Sequence, residues 1–116
     1  MQKLLKVISK DEKTGFVESF KFTHTNHSFQ RSSQRGINND QMAKTILYGE
    51  PYYKQGLIYY VLGEKQIPKQ YQKNKESLKN TIVIVDGQSD TVITCYRSKA
   101  PFKHIRRKSS ILIKNY

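Results

Sequence analysis

Strict alternation of apolar and polar positions is clearest in "TGFVESFKFTH", residues 14–24. Phe16, Glu18, Phe20 and Phe22 fall on one side there, and Val17, Ser19 and Lys21 on the other. Period two with three aromatics on one face predicts a strand. The first ten residues carry Leu4, Leu5, Val7 and Ile8, a pattern that suits a strand or a short helix equally.

Two short helices are expected next. The first spans about Asn26 to Arg35, with Thr25 or Asn26 as its cap and Gly36 as a left-handed stop. The second starts at the N-cap Asn38, with Gln41 completing a capping box and Ile37 placed to staple onto Met42. Its apolar face is Met42, Ala43, Ile46 and Leu47, and Gly49 with Pro51 ends it.

Beyond Pro51, "YYKQGLIYYVLG" reads as one strand or a tight pair, rich in tyrosine and β-branched residues. Residues 64–80 are polar, basic and aperiodic, as expected of a long loop with at most one helical turn. "TIVIVDGQSDTVITCYR" is the plainest hairpin, two apolar runs joined through Asp86-Gly87. Alternation along its second arm puts Thr94 and Tyr96 with Val92, and Ile93, Cys95 and Arg97 on the other face. The tail from about 98 to 116 is basic, and its "ILI" could add an edge strand. The expected class is α+β: a small antiparallel sheet of about four strands with two short helices packed on one face. A chain of 116 residues, without an internal repeat or linker, is expected to form a single domain, 1–116.

Composition changes the picture through charge. Twenty-one Lys and Arg against nine Asp and Glu give a net charge of +12, which favours a polyanionic partner. No acidic residue follows Asp90, while Arg97, Lys99, Lys103, His104, Arg106, Arg107 and Lys108 do. These seven are the candidate nucleic-acid contacts, and a solvated basic surface is the plain alternative. Neither basic run has a clear amphipathic apolar face, which argues against an anionic membrane surface. No apolar run reaches the length of a membrane span, and the N-terminus lacks the apolar core of a signal peptide, so a cytoplasmic protein is expected. The single Cys95 excludes an internal disulfide and a multi-cysteine zinc site. Three scattered histidines offer no metal-ligand spacing, so neither metal nor cofactor is expected.

The candidate chemistry lies in "HSFQRSSQRGI". Placed on a helix, His27, Arg31 and Arg35 form one polar stripe, where an amphipathic helix would show apolar residues. Arginine is a rigid donor fork for phosphate oxygens, and imidazole can move a proton near neutral pH. RNA cleavage by the 2′-hydroxyl needs those parts: a base, a cation for the phosphorane and an acid for the leaving oxygen. The same three residues also suit a solvated face, or pairing with Asp40 or Glu50. His24 ends a strand and reads as a surface residue, while cationic neighbours disfavour the protonated form of His104. Tyr96 and Arg97 close a central strand near a helix start, a common place for sites.

The run His27-x-x-x-Arg31-x-x-x-Arg35-Gly36-Ile37, the helix ending at Gly49 and the strand "DTVITCYR" resemble a family of small prokaryotic domains, DUF4258. That family is grouped with the RelE-like, BECR-type ribonuclease fold, which includes toxin ribonucleases. The likeness covers roughly Phe20 to Arg97, and the segment Lys65 to Lys79 is longer than usual for it. The resemblance implies His27, Arg31, Arg35 and Thr94 as recurring polar positions. It also implies, as an expectation, a metal-independent endoribonuclease of the toxin type. His27 would be the general base or acid, Arg31 and Arg35 the phosphate clamp, and Thr94 or Tyr96 an orienting group. RNA and an acidic antitoxin-like protein are the expected partners. The alternative is a non-catalytic module that binds nucleic acid or an acidic protein through the same surface.

Overall fold

The computed structural model describes residues 3–11 and 13–103. Six strands form one sheet in the order β1-β2-β6-β5-β4-β3. They are β1 Lys3–Lys10, β2 Val17–His24, β3 Glu50–Lys54, β4 Leu57–Leu62, β5 Thr81–Asp86 and β6 Thr91–Arg97. Between β2 and β3 the chain makes α1 Asn26–Gln34 and α2 Asn39–Tyr48. Two 3₁₀ turns, Glu64–Gln66 and Lys69–Asn74, and the short α3 Lys75–Leu78 link β4 to β5.

The expected antiparallel sheet of about four strands is therefore wrong in count and in sense. The α+β class stands, but the sheet has six strands, both alternatives left open by the sequence resolving to strands, and β2 runs parallel to β6. Residues 1–10 did not declare themselves because Leu4 and Ile8 face outward while Leu5 and Val7 are buried, so apolar residues occupy both faces. The tyrosine-rich run divides into β3 and β4 at Gln55-Gly56, both with positive φ (52° and 83°), the backbone of a tight hairpin turn. The parallel contact joins Thr23 to Thr91 and His24 to Val92, residues far apart in the chain. Local periodicity carries no record of such a pairing.

The core forms where α2 crosses β1, β4 and β5. Leu5, Val7, Phe22, Ile37, Met42, Val83, Val85, Val92 and Cys95 cluster there, with Ala43, Ile46 and Leu47 packed against them. The capping box of α2 is complete: Asn38 Oδ1 accepts from the Gln41 amide, and Gln41 Oε1 accepts from the Asn38 amide. Gly49 ends α2 where the helix meets β4; a Cβ there would collide with the Thr45 and Val61 carbonyl oxygens. Tyr59, Val61, Ile82 and Ile84 make a second cluster on the opposite face of the sheet. Central β5 is thus buried on both sides. The expected loop 64–80 is instead a compact set of turns that tucks Ile67 and Leu78 against Leu62, Tyr48 and Tyr71.

A bulge in β6 corrects the expected facing of its residues. Thr94 pairs with Ile84 and Val92 with Val85, leaving Ile93 as an extra residue between them. The added residue shifts the phase of the strand. Val92 and Cys95 share the core under α2, whereas Thr94 and Tyr96 take the other face. The expected "ILI" edge strand lies outside the described residues.

Candidate functional site

α1 explains why a helix can carry so few apolar residues. Its buried residues are Ser28 and Ser32, and each hydroxyl is satisfied by the helix's own backbone: Ser28 Oγ donates to the Thr25 carbonyl at 3.0 Å, Ser32 Oγ to that of Phe29 at 2.8 Å. Small, self-satisfied side chains let the helix lie close to β6, the strand it packs against. Thr25 is the N-cap, its Oγ1 accepting from the Ser28 amide at 3.1 Å. Gly36, at φ 68°, provides the left-handed stop.

His24 is the residue the sequence reading missed. It is wholly buried, with Nδ1 2.6 Å from Ser28 Oγ and its ring edge-on to Phe29 at 5.6 Å between centroids. Because the Ser28 hydrogen goes to the Thr25 carbonyl, the network closes when His24 Nδ1 carries the proton and donates it. The signal was present: His24 falls in step with Phe22, the other buried residue of β2.

The predicted stripe divides into two parts. His27 and Arg31 are exposed and line a shallow recess on α1 together with Gln30 and Gln34. Arg35 turns away from it. Its Nη1 donates to the Cys95 carbonyl at 2.6 Å and to Thr94 Oγ1 at 3.2 Å. β2 pairs with only the first two residues of β6, so α1 takes the place of a neighbour further along, and Arg35 supplies a donor to the strand edge. Among the described residues, no side-chain hydrogen bond joins His27 or Arg31 to Arg35 or Thr94. The structure brings Arg35 and Thr94 together, and His27 and Arg31 together, as separate pairs.

Tyr96 sits half-buried beside Tyr59 on the face away from α2. Burial, with a smaller contribution from Tyr59, raises its pKa, and Arg35 opposes the shift. Arg97 is structural as well: Nη2 donates to the Glu76 carbonyl at 2.6 Å and the Lys79 carbonyl at 2.9 Å, pinning α3 to the end of β6. Lys99 and Lys103 are exposed. His104, Arg106, Arg107 and Lys108 lie outside the described residues. Among the described residues, no cluster of His, Cys, Asp or Glu is placed to hold a metal, and no helix is long and apolar enough to cross a membrane.

Cys95 is buried, and desolvation raises its pKa from the ordinary 9.0 to about 11, against the opposing charge of Arg35. Burial raises Tyr59, Tyr60 and Tyr96 in the same direction. For each of these groups the folded state holds its proton longer than the unfolded chain does. Stability is therefore fully present below pH 9 and falls as pH rises towards 11, by at most about 1.4 kcal/mol per pH unit for the thiol. A thiol-reactive dye at pH 8 should label native Cys95 slowly and the urea-unfolded chain fast. Equal rates would contradict the burial.

Comparison with protein-family models, curated proteins and solved structures returns no match, so the likeness to the DUF4258 pattern is carried by the quoted residues alone.

Proposed function

We propose that the protein is an RNA-binding module that contacts phosphates through the outward face of α1. The observation that carries this reading is the composition of that face. His27, Gln30, Arg31 and Gln34 are all hydrogen-bond donors grouped at one recess, and α1 contains no acidic residue. A guanidinium, an imidazole and two amides suit a phosphodiester backbone better than an apolar or cationic ligand. The net charge of +12 adds the long-range attraction that speeds encounter with a polyanion. Lys99 and Lys103 are further exposed cations that add to this attraction.

Binding is favoured over catalysis because the clamp expected from the sequence is incomplete: the Arg35 guanidinium is committed to the Cys95 carbonyl. Cleavage is a second reading, favoured by His27 lying one helical turn from Arg31. In that case His27 moves the 2′-hydroxyl proton and Arg31 stabilises the phosphorane.

Fluorescence anisotropy with labelled single-stranded RNA at several salt concentrations tests the proposal. Affinity should fall by about 0.7 log units per log of salt for each phosphate held, and Arg31→Ala should lower that slope by about one contact. A slope of zero would exclude nucleic acid as the ligand. For the second reading, any cleavage should persist in EDTA, leave a 2′,3′-cyclic phosphate and drop roughly 10²–10⁴-fold in His27→Ala, with binding retained. Intact RNA after long incubation leaves the binding module alone.

A further inference from the structure

The β1–β2 hairpin gives Leu5, Val7 and Phe22 to the core but also carries most of the exposed apolar side chains of the described residues. Leu4, Ile8, Phe16, Val17 and Phe20, five of the seven exposed large hydrophobic residues among those described, belong to it. Leu4, Phe16 and Val17 are 61%, 61% and 54% exposed. Apolar exposure concentrated on one element marks an interaction surface, where single scattered residues would not. β1 is also the last strand of the sheet on its side, paired only with β2 among the described residues.

On the outward face of the paired residues the charges are of one sign, Glu18 lying opposite Ser9 on the other face. The pairing register sets Lys6 directly opposite Lys21, a like-charge cross-strand pair, and places Lys10 on the same outward face. Among the described residues the ion pairs are Lys44–Asp40, Lys75–Glu64 and Lys79–Glu76, so none involves these three lysines. Beside the outer edge runs a groove lined by Lys6 and Ile8 from β1 and by Ala43, Lys44, Leu47 and Tyr48 from α2. The one acid lining it, Asp40, is held by Lys44 at 2.7 Å.

We propose that β1 receives an extended, acidic segment of a partner protein, added as a strand along this edge. The unpaired backbone of an edge strand supplies the hydrogen bonds for such an addition, and alternating side chains give specificity. Carboxylates on one face of the segment meet Lys6, Lys10 and Lys21 and relieve the Lys6–Lys21 repulsion. Its apolar residues cover Ile8 and its neighbours.

A second copy of this chain is disfavoured as the occupant. Pairing β1 with itself would gather Lys6 and Lys10 of both copies onto one edge, between two bodies of charge +12. RNA is disfavoured on this face because its paired apolar residues, Leu4, Ile8 and Val17, are aliphatic, while the exposed ring of Phe20 lies on the other face. The proposal is independent of RNA binding at α1.

The test uses the full chain and a fluorescein-labelled peptide of about ten residues that alternates glutamate with valine, a length matched to one strand. The peptide should bind. A version N-methylated at alternate residues, and a lysine–valine version, should not. Lys6→Glu and Lys21→Glu should each weaken binding several-fold, and together by about tenfold or more. Lys21→Glu replaces a like-charge pair by an opposite one, so its melting temperature should not fall, which separates lost binding from lost folding. Four results would overturn the proposal. They are failure of the acidic peptide to bind, equal binding of the N-methylated peptide, an equal loss of RNA affinity in Lys6→Glu, and a dimer in sedimentation that Ile8→Thr dissociates. The first leaves the RNA reading of α1 standing, because His27 and Arg31 lie elsewhere.

Discussion

Replacing His24 by alanine is expected to destabilise the protein by about 3 kcal/mol, the largest effect of any substitution near the candidate site. The ring is completely buried, packs edge-on to Phe29 and holds Ser28 through a 2.6 Å hydrogen bond. Its removal opens a cavity at the junction of β2, α1 and β6, and leaves Ser28 Oγ without its ring partner. For a chain of this size the melting temperature should drop by about 10 °C or more. Asparagine at the same position keeps a hydrogen-bond donor near Ser28 while losing volume, so His24→Asn should fall between wild type and alanine. Thermal melts and urea titrations of the two variants give the comparison. A melt unchanged in His24→Ala would mean that the ring does not anchor the start of α1.

Arg35→Ala should come next, at about 2 kcal/mol, because a charge-assisted hydrogen bond to the Cys95 carbonyl is lost at the edge of a central strand. Thr94→Val removes only the longer contact at 3.2 Å and should cost less than about 1 kcal/mol. Arg35→Lys keeps a charge but cannot reach both acceptors as a fork, so it should recover only part of the loss. His27→Ala and Arg31→Ala, both exposed, should stay within about 0.5 kcal/mol of wild type. This ordering separates the stripe into a structural member and two members free to act on a ligand. If Arg35→Ala melted like wild type yet lost RNA affinity, the arginine would belong to the phosphate clamp after all, and its bond to β6 would be incidental.

The two variants bear on one another through α1. His24 fixes the N-terminal end of the helix against β6, and Arg35 fixes the C-terminal end. Together they hold the donors of His27 and Arg31 at a constant distance from the sheet, as a phosphate-binding face requires. Loosening either end should weaken RNA binding indirectly, and that loss should track the fraction unfolded. A direct contact such as Arg31 should lower affinity at full folding.

The sequence alone determined the elements marked by a specific local signal, though not the helical turns of 64–80. Asn38 and Gln41 announce α2 because a capping box joins residues three apart. Gly36 marks the end of α1 because only a residue without a Cβ turns left-handed at little cost. Asp86-Gly87 marks the hairpin of β5 and β6, and the +12 charge follows from a count. Tertiary structure decided everything that depends on residues far apart in the chain. The parallel contact of β2 with β6 makes a six-stranded mixed sheet where an antiparallel one of about four strands was expected. The bulge at Ile93, invisible to a period-two count, moves Val92 and Cys95 into the core and turns Thr94 away from it. Because α1 lies against β6, Arg35 finds a backbone carbonyl and leaves the stripe that helical spacing had given it. Spacing fixes which side chains share a helix face. Which of them face water, and which are spent on a neighbouring strand, is fixed only by what that face packs against.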